Sequence, residues 1–317
     1  MPSFDVFNGD ADGICSLLQL RQVAPREARL VTGVKRDIAL LNRVDAVSGD
    51  QVTVLDISLD KNREPLNRLL AAGVNVFYAD HHYAGEVPDT ANLTALINTA
   101  PEVCTSLLVN GYLKGKRAEW AVVGCYGDNL DSSAEKLAET LPVRGKLEQW
   151  RELGVLINYN GYGADVADLH FAPDALYQRL LPHAHPEACL SDDPELFETL
   201  QAAYANDMAL AASAPRLVEN DVLAVIQLPN TPWARRVSGV YGNHLANMAP
   251  QRAHAVLTDI PGGYLVSVRA PLNNRQGADE VCRQFETGGG RAAAAGINLL
   301  PADAVDRLVD ALTQQYA

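Results

Sequence analysis

Short apolar runs alternate with amphipathic stretches through the first half of the chain. This pattern predicts strands at residues 4–8, 52–57 and 74–78 and helices at residues 14–23, 61–72 and 105–113. The apolar segment Trp120–Gly124 is predicted as a further strand or a short buried segment. Strands that alternate with helices in this way are typical of a doubly wound parallel sheet.

The pattern changes in the second half. A stretch beyond Gly163 contains several prolines and is predicted as loop-rich, and an alanine-rich helix is predicted at Glu195–Ala214. Strand patterns return at residues 222–228, 254–259 and 264–269, with helices predicted at residues 278–285 and 302–314. We therefore expect an α/β protein with a first domain at residues 1–193, a connecting helix at residues 194–215 and a smaller α/β domain at residues 216–317.

Composition narrows the classes of protein that need to be considered. The 317 residues are 48% hydrophobic, as in an ordinary globular protein, and the five cysteines are widely spread without a C-x-x-C pair. This spacing argues against both a disulfide framework and a structural zinc site. No segment approaches the roughly 20 apolar residues that span a bilayer, and the first residues do not resemble a signal peptide. We expect a cytoplasmic protein without a membrane partner.

The net charge of −13 bears on the class of partner. A strongly acidic protein repels a long polyanion, so binding along duplex DNA is not expected and short substrates are favoured. Bound divalent cations would reverse the local charge where a phosphate binds. The sequence leaves the oligomeric state open, a homodimer included.

Acidic residues and histidines follow the predicted strands. Asp10 and Asp12 follow the first strand, Asp56 closes the second, Asp80-His81-His82 follows the third, and Asp128 follows the apolar segment at Trp120–Gly124. Each group taken alone is consistent with a turn or a helix cap. In a parallel sheet, however, ligands bind at the carboxyl ends of the strands, where these groups would meet. Carboxylates beside imidazoles suit Mn²⁺ or a similar first-row metal.

In this order the motifs resemble those of the DHH phosphoesterases, which include RecJ exonucleases, nanoRNases and cyclic-dinucleotide phosphodiesterases. Asp10-Ala11-Asp12-Gly13, Leu55-Asp56, Asp80-His81-His82 and Gly127-Asp128 resemble the four motifs of the DHH domain. Gly288-Gly289-Gly290-Arg291, followed by the segment 293–296, resembles the motif of the accessory DHHA1 domain. The resemblance covers nearly the whole chain and implies a substrate cleft between the two domains.

The resemblance also implies roles for individual residues. Two Mn²⁺ ions, with Mg²⁺ or Co²⁺ as alternatives, would be held by Asp10, Asp12, Asp56, His81 and Asp128, with Asp56 bridging the ions. Asp80 would support this set of ligands, and His82 would contact the scissile phosphate. Substrate would be bound in the second domain by guanidinium groups and by glycine backbone, the candidates being Arg269, Arg275, Gly288, Gly289, Gly290 and Arg291.

Two positions depart from the family pattern. Asn8 stands where many relatives have histidine, so that the first metal would have an amide oxygen ligand or none at that position. Arg291 replaces the usual histidine after the three glycines. These departures leave the choice of metal and the mode of substrate recognition open.

The sequence therefore predicts a two-metal phosphodiesterase or exonuclease that converts short RNA or DNA oligonucleotides, or linear and cyclic dinucleotides, to mononucleotides. A phosphatase acting on 3′-phosphoadenosine 5′-phosphate or a similar monoester is an alternative. A nucleotide-binding regulatory protein that has lost catalysis is a third reading, although all five carboxylate and histidine ligands are retained.

Overall fold

The structure, a computed structural model, describes residues 2–142 and 147–317. The chain packs as two compact units, Met1–Gln201 and Ala202–Ala317. The boundary between the units falls inside the helix Pro194–Ala212. This helix confirms the one predicted at Glu195–Ala214. None of the helices among the described residues has the length and apolar character that crossing a membrane requires.

The first unit is built on a parallel sheet. Its strands are β1 (Ser3–Phe7), β2 (Arg29–Val31), β3 (Gln51–Leu55), β4 (Asn75–Asp80) and β5 (Leu93–Ile97). They run in the order β2-β1-β3-β4-β5, and every neighbouring pair is parallel. The central strands are continuous apolar runs because both faces of the sheet are covered. The sequence pattern predicted the three central strands, β1, β3 and β4. It did not predict the edge strands β2 and β5, which are short or only partly buried.

Helices alternate with these strands and follow the last of them along the chain, and the last helix continues into the second unit. They are α1 (Ala11–Val23), α2 (Arg63–Ala71), α3 (Thr105–Tyr112), α4 (Ala118–Gly127), α5 (Asp131–Ala138), α6 (Leu147–Asn160), α7 (Pro173–Leu180), α8 (Pro186–Asp192) and α9 (Pro194–Ala212). The prediction of a loop-rich region beyond Gly163 is wrong in part, because α7 and α8 lie there. Each of these two helices begins with a proline in its first turn. Proline is favoured there because its missing N–H has no partner within the helix.

The prediction of a strand or a short segment at Trp120–Gly124 is also wrong. These residues lie in α4, which packs against α1, α3, α5 and α6. A helix that is buried on all sides carries no amphipathic periodicity, so its apolar run looks like that of a buried strand. Asp128 therefore follows a helix and not a strand.

The second unit contains a mixed sheet. Its strands are β6 (Arg216–Glu219), β7 (Leu223–Leu228), β8 (Ala253–Ile260), β9 (Gly263–Arg269), β10 (Gly288–Gly290) and β11 (Ala294–Leu300), in the order β10-β11-β9-β8-β7-β6. The strands β7 and β8 are parallel, and the other pairs are antiparallel. The run of three glycines forms the edge strand β10.

Three helices of the described second unit accompany this sheet: α10 (Pro232–Met248), α11 (Ala278–Cys282) and α12 (Val305–Tyr316). The sequence pattern did not predict α10, in which Gly239 and Gly242 lower the helix propensity. Its place in the fold is nevertheless dictated by topology. Parallel strands need a crossover connection, and α10 is the crossover from β7 to β8.

Candidate metal centre

The loop after β1 is organised by two side chains that cap the start of α1. The Asp10 Oδ1 atom accepts a hydrogen bond from the Gly13 backbone N–H at 3.0 Å, which makes Asp10 the N-cap residue. The Asn8 Oδ1 atom accepts from the Asp10 N–H at 3.2 Å, and its Nδ2 atom donates to the Lys35 carbonyl at 3.2 Å. Both polar atoms of Asn8 thus bind the backbone, and its predicted role as a metal ligand stays a prediction.

Asp12 is fixed by the start of α3. Its two carboxylate oxygens accept hydrogen bonds from the backbone N–H groups of Thr105 and Ser106, each at 2.7 Å. These amides lie at a helix N-terminus, where unpaired N–H groups favour an anion. The sequence pattern predicted the helix but not this contact, which joins residues far apart in the chain.

Asp56 directly follows β3 in a strained conformation. Its φ of 59° lies in the left-handed region that residues other than glycine seldom adopt. The Thr105 hydroxyl donates to Asp56 Oδ1 at 3.0 Å. Burial, together with Asp10, Asp12, Asp128 and Asp80, raises the pKa of Asp56 well above its ordinary value. A cation beside this carboxylate would relieve the repulsion.

Asp80 ends β4 and orients His82. The Asp80 Oδ1 atom accepts from the His82 backbone N–H at 3.2 Å and lies 2.7 Å from His82 Nδ1. Burial opposes the charge on Asp80, but His82 and His81 together outweigh it and lower the pKa of Asp80. His82 is 32% exposed, and its Nδ1 atom is held by Asp80.

His81 lies at the centre of the carboxylates. Its Nδ1 atom is 2.8 Å from the Val103 carbonyl, which accepts a hydrogen bond from the ring at Nδ1 and leaves Nε2 facing the carboxylates. This Nε2 atom lies 3.3 Å from Asp56 Oδ1, 3.8 Å from Asp12 Oδ2 and 3.9 Å from Asp128 Oδ2. An imidazole nitrogen that faces several carboxylate oxygens, on a ring held by a backbone carbonyl at its other nitrogen, is an arrangement typical of a metal ligand.

Two overlapping sets of side chains place their ligand atoms within 4.8 Å of one another. One set is Asp56, His81 and His82, and the other is Asp12, His81 and Asp128. Mixed oxygen and imidazole donors suit a divalent first-row metal or Mg²⁺. The residues therefore fit a divalent cation at His81.

Lys35, which the sequence reasoning missed, lies on the other side of the cluster. Its Nζ atom lies 2.5 Å from Asp10 Oδ2 and 4.0 Å from Asp128 Oδ1. Burial opposes the charge on Lys35, but Asp10, Tyr162 and Asp128 outweigh it and raise the pKa of the ammonium. Asp10 has a lowered pKa because Lys35 outweighs the effect of its own burial.

The predicted substrate residues lie in the second unit. Arg269 ends β9, and its guanidinium donates to Asn243 Oδ1 at 2.5 Å and to the Gly239 carbonyl at 3.1 Å, both on α10. Arg269 pairs in register with Ala294, whose carbonyl accepts from the Arg291 backbone N–H at 2.9 Å. The backbones of Arg269 and Arg291 thus both lie beside Ala294.

The glycine strand and the remaining arginine belong to the same unit. Gly289 and Gly290 pair with Gly296 and Ala295 of β11, so β10 ends beside the start of β11. Arg275 lies in the connection between β9 and α11. The structure places these residues, and their role in binding substrate stays a prediction.

Several solved structures have a fold similar to that of this chain. The DHH domain of a protein described as a member of the s1p family of ribosomal proteins superposes with a TM-score of 0.67 at 12% identity, over 99% of this chain and 86% of that one. A pGpG-specific phosphodiesterase, PggH from Vibrio cholerae, gives 0.59 at 18% identity, over 100% and 99%. RecJ from Thermus thermophilus in complex with Mn²⁺ gives 0.56 at 18% identity, over 99% and 52%.

Comparison of the sequence with family models and with curated proteins gave no match. The structural likenesses are at low identity and concern the fold. They confirm the predicted fold, an α/β domain with a parallel sheet followed by a second, smaller α/β unit.

Proposed function

We propose that the chain is a metal-dependent phosphoesterase that hydrolyses short RNA or DNA oligonucleotides, or linear and cyclic dinucleotides, to mononucleotides. The observation that carries the proposal is the position of His81 Nε2, which faces three buried or nearly buried carboxylates at 3.3–3.9 Å. Such a set of donors concentrates negative charge that a divalent cation neutralises. The fold shared with a pGpG phosphodiesterase and with a RecJ protein solved with Mn²⁺ supports the same activity.

In this proposal Asp12, Asp56, His81 and Asp128 hold the cation, with Mn²⁺ as the first candidate and Mg²⁺ or Co²⁺ as alternatives. A divalent metal at a phosphoesterase site supplies Lewis acidity toward water and toward the phosphoryl oxygens. The amides of Thr105 and Ser106 orient Asp12, and the Thr105 hydroxyl orients Asp56. These contacts fix the ligands before substrate arrives.

His82 is proposed to bind the scissile phosphate. Its Nδ1 atom is held by Asp80, so that the ring presents Nε2 in a defined direction. In the same proposal Asp80 positions His82 and does not itself contact the substrate.

The second unit is proposed to bind the rest of the substrate. Arg269 is held by Asn243 and Gly239, so its guanidinium is ordered before it meets a phosphate. Arg275, Arg291 and the backbone of Gly288, Gly289 and Gly290 are further candidates for phosphate or base contacts. The net charge of −13 disfavours long polyanions and so favours short substrates.

The experiment is a time course in Mn²⁺ with labelled RNA and DNA of two to ten nucleotides, a cyclic dinucleotide and 3′-phosphoadenosine 5′-phosphate. Products are resolved by mass. Mononucleotides released from dinucleotides or short oligonucleotides are expected. Phosphate released from the monoester alone would replace the proposal by a phosphatase, and tight binding without turnover would replace it by a regulatory protein.

A further inference from the structure

Lys35 is held in place through its backbone. Its N–H donates to the Gly161 carbonyl at 2.7 Å, and its carbonyl accepts from Asn8 Nδ2 at 3.2 Å. The side chain is 22% exposed and ends among the carboxylates. The position of this lysine is therefore set by the loop after β1 and by the residue that follows α6.

Oxygen atoms surround the Lys35 ammonium. Asp10 Oδ2 lies at 2.5 Å, Asn158 Oδ1 at 3.0 Å and Asp128 Oδ1 at 4.0 Å, while the Tyr162 ring centroid lies at 5.4 Å. Carboxylate and amide oxygens are also the donors that hard divalent cations take in proteins. The ammonium thus lies in surroundings that would suit a metal ion.

The carboxylates form two groups, one around the Lys35 ammonium and one around His81. Among the described residues, the sets that could hold a metal ion contain Asp12, Asp56, His81, His82 and Asp128 and do not contain Asp10. Asp10 uses Oδ1 on the Gly13 N–H and Oδ2 on Lys35. Asp128 takes part in both places, since its Oδ1 atom faces Lys35 and its Oδ2 atom faces His81.

We propose that the Lys35 ammonium occupies one of two cation positions in this cluster, so that the chain binds a single divalent ion, at His81. This inference rests on the proposed function, in which a metal ion is bound at His81. It differs from the two-ion site that the motifs alone predict. Asn8, whose amide binds the Lys35 backbone, is then a positioning residue for the lysine and not a metal ligand.

Charge balance supports this division. A fixed ammonium neutralises Asp10 and part of Asp128, and it cannot dissociate as a weakly held ion can. A second divalent ion within the usual separation of two-metal sites, roughly 3.5–4 Å, would have to displace the lysine from Asp10 or share that carboxylate with it. Either arrangement places a lysine beside a dication in a part-buried site, which Coulomb repulsion opposes.

The test counts the Mn²⁺ ions that each chain binds. The metal-free full-length protein is dialysed to equilibrium against Mn²⁺ and the bound metal is determined by mass spectrometry, with electron paramagnetic resonance to detect coupled pairs of ions. The variants are Lys35→Ala, which empties the position, Lys35→Arg, which keeps the charge, and Lys136→Ala at an exposed lysine of α5 as the matched control. Circular dichroism shows whether each variant is folded.

About one ion is expected in the wild type, in Lys35→Arg and in Lys136→Ala, and about two, with a coupled-pair signal, in Lys35→Ala. Two ions in the wild type, or one ion in a folded Lys35→Ala protein, would overturn the inference. If Lys35→Ala does not fold, the wild-type count decides alone. Two ions with Mn²⁺-dependent hydrolysis would remove the inference and leave the proposed function, whereas absence of both binding and hydrolysis would remove both.

Discussion

The two units differ in what they bury. Among the described residues, the first unit buries a large group of ionisable side chains, comprising Asp5, Asp10, Asp12, Arg21, Asp50, Asp56, Asp80, His81 and Asp168. In the described second unit, the buried acidic, basic and histidine residues are Asp207 and His254, within an otherwise largely apolar core. Burying a charged group costs free energy unless the group is paired. The buried charged side chains of the first unit therefore lower its stability wherever their charges are not neutralised.

The two units hold their charged and polar groups in different ways. In the first unit, backbone amides, a threonine hydroxyl and a lysine hold carboxylates close together where repulsion would separate them. In the second unit, an ordinary core carries a sheet with arginines and a glycine strand at one end. Replacing a buried carboxylate of the first unit should therefore lower activity and raise stability. In the second unit, a substitution should be able to change stability without changing activity, or activity without changing stability.

The largest effect is expected for Asp56→Asn. Asparagine tolerates the left-handed backbone and still accepts from Thr105, but it removes a buried charge from the repelling cluster. Hydrolysis should fall by more than about 100-fold, since even residues that only support metal ligands cost 10- to 100-fold. The metal-free variant should be more stable by about 0.5–2 kcal/mol.

Chemical denaturation without metal and initial rates with Mn²⁺ measure the two effects of Asp56→Asn. The matched control is Asp89→Asn, at an exposed aspartate of the same unit, which should change neither quantity. Unchanged turnover in Asp56→Asn would break the contrast between the units, as would a clear loss of stability in the metal-free variant.

The glycine strand offers a smaller effect that separates packing from binding. A Cβ atom on Gly288 would lie 1.7 Å from the Cys282 carbonyl oxygen, whereas one on Gly289 would meet no atom within 4 Å. Gly288→Ala should therefore lower the free energy of unfolding by about 2–3 kcal/mol, and Gly289→Ala should change it by less than about 0.5 kcal/mol.

Thermal and chemical denaturation of the two glycine variants check this difference. If Gly289 binds substrate through its backbone, Gly289→Ala should also raise KM while the protein stays folded. Equal loss of stability in both variants would contradict the packing of β10, and an unchanged KM in Gly289→Ala would remove that residue from the substrate site.

The smallest effect concerns the buried histidine of the second unit. Burial, with Arg252 nearby, lowers the pKa of His254 from 6.5 to about 4. Between these values the unfolded chain binds a proton that the folded chain does not, so the contribution of His254 lowers stability as the pH falls from 6.5 toward 4. The loss between pH 7 and pH 5 should be about 1–2 kcal/mol.

The comparison of wild type with His254→Gln isolates this contribution, because other groups titrate alike in both proteins. Urea denaturation at pH 7 and pH 5 should give a smaller pH dependence in the variant. The same pH dependence in both proteins would show that His254 does not titrate as its burial requires.

The sequence predicted the residues of the site better than their surroundings. Asp10, Asp56 and Asp80 could be located because each lies at or just after the end of a buried strand whose apolar run is visible in the sequence. Asp128 was found through its motif, while the element before it was misassigned because α4 is apolar on all sides. Lys35 could not be found, since it follows a three-residue edge strand and contacts Asn158 across 123 positions of sequence. Contacts of this kind depend on the tertiary fold and leave no local pattern.

The most direct test of the central claim is hydrolysis of a dinucleotide by the purified protein in Mn²⁺, with products resolved by mass and with the reaction repeated after chelation. The account predicts mononucleotides from the wild type and from Asp89→Asn, and none after chelation or from Asp56→Asn. An intact dinucleotide after incubation with the folded, Mn²⁺-loaded wild type would contradict the account, as would turnover that persists after chelation.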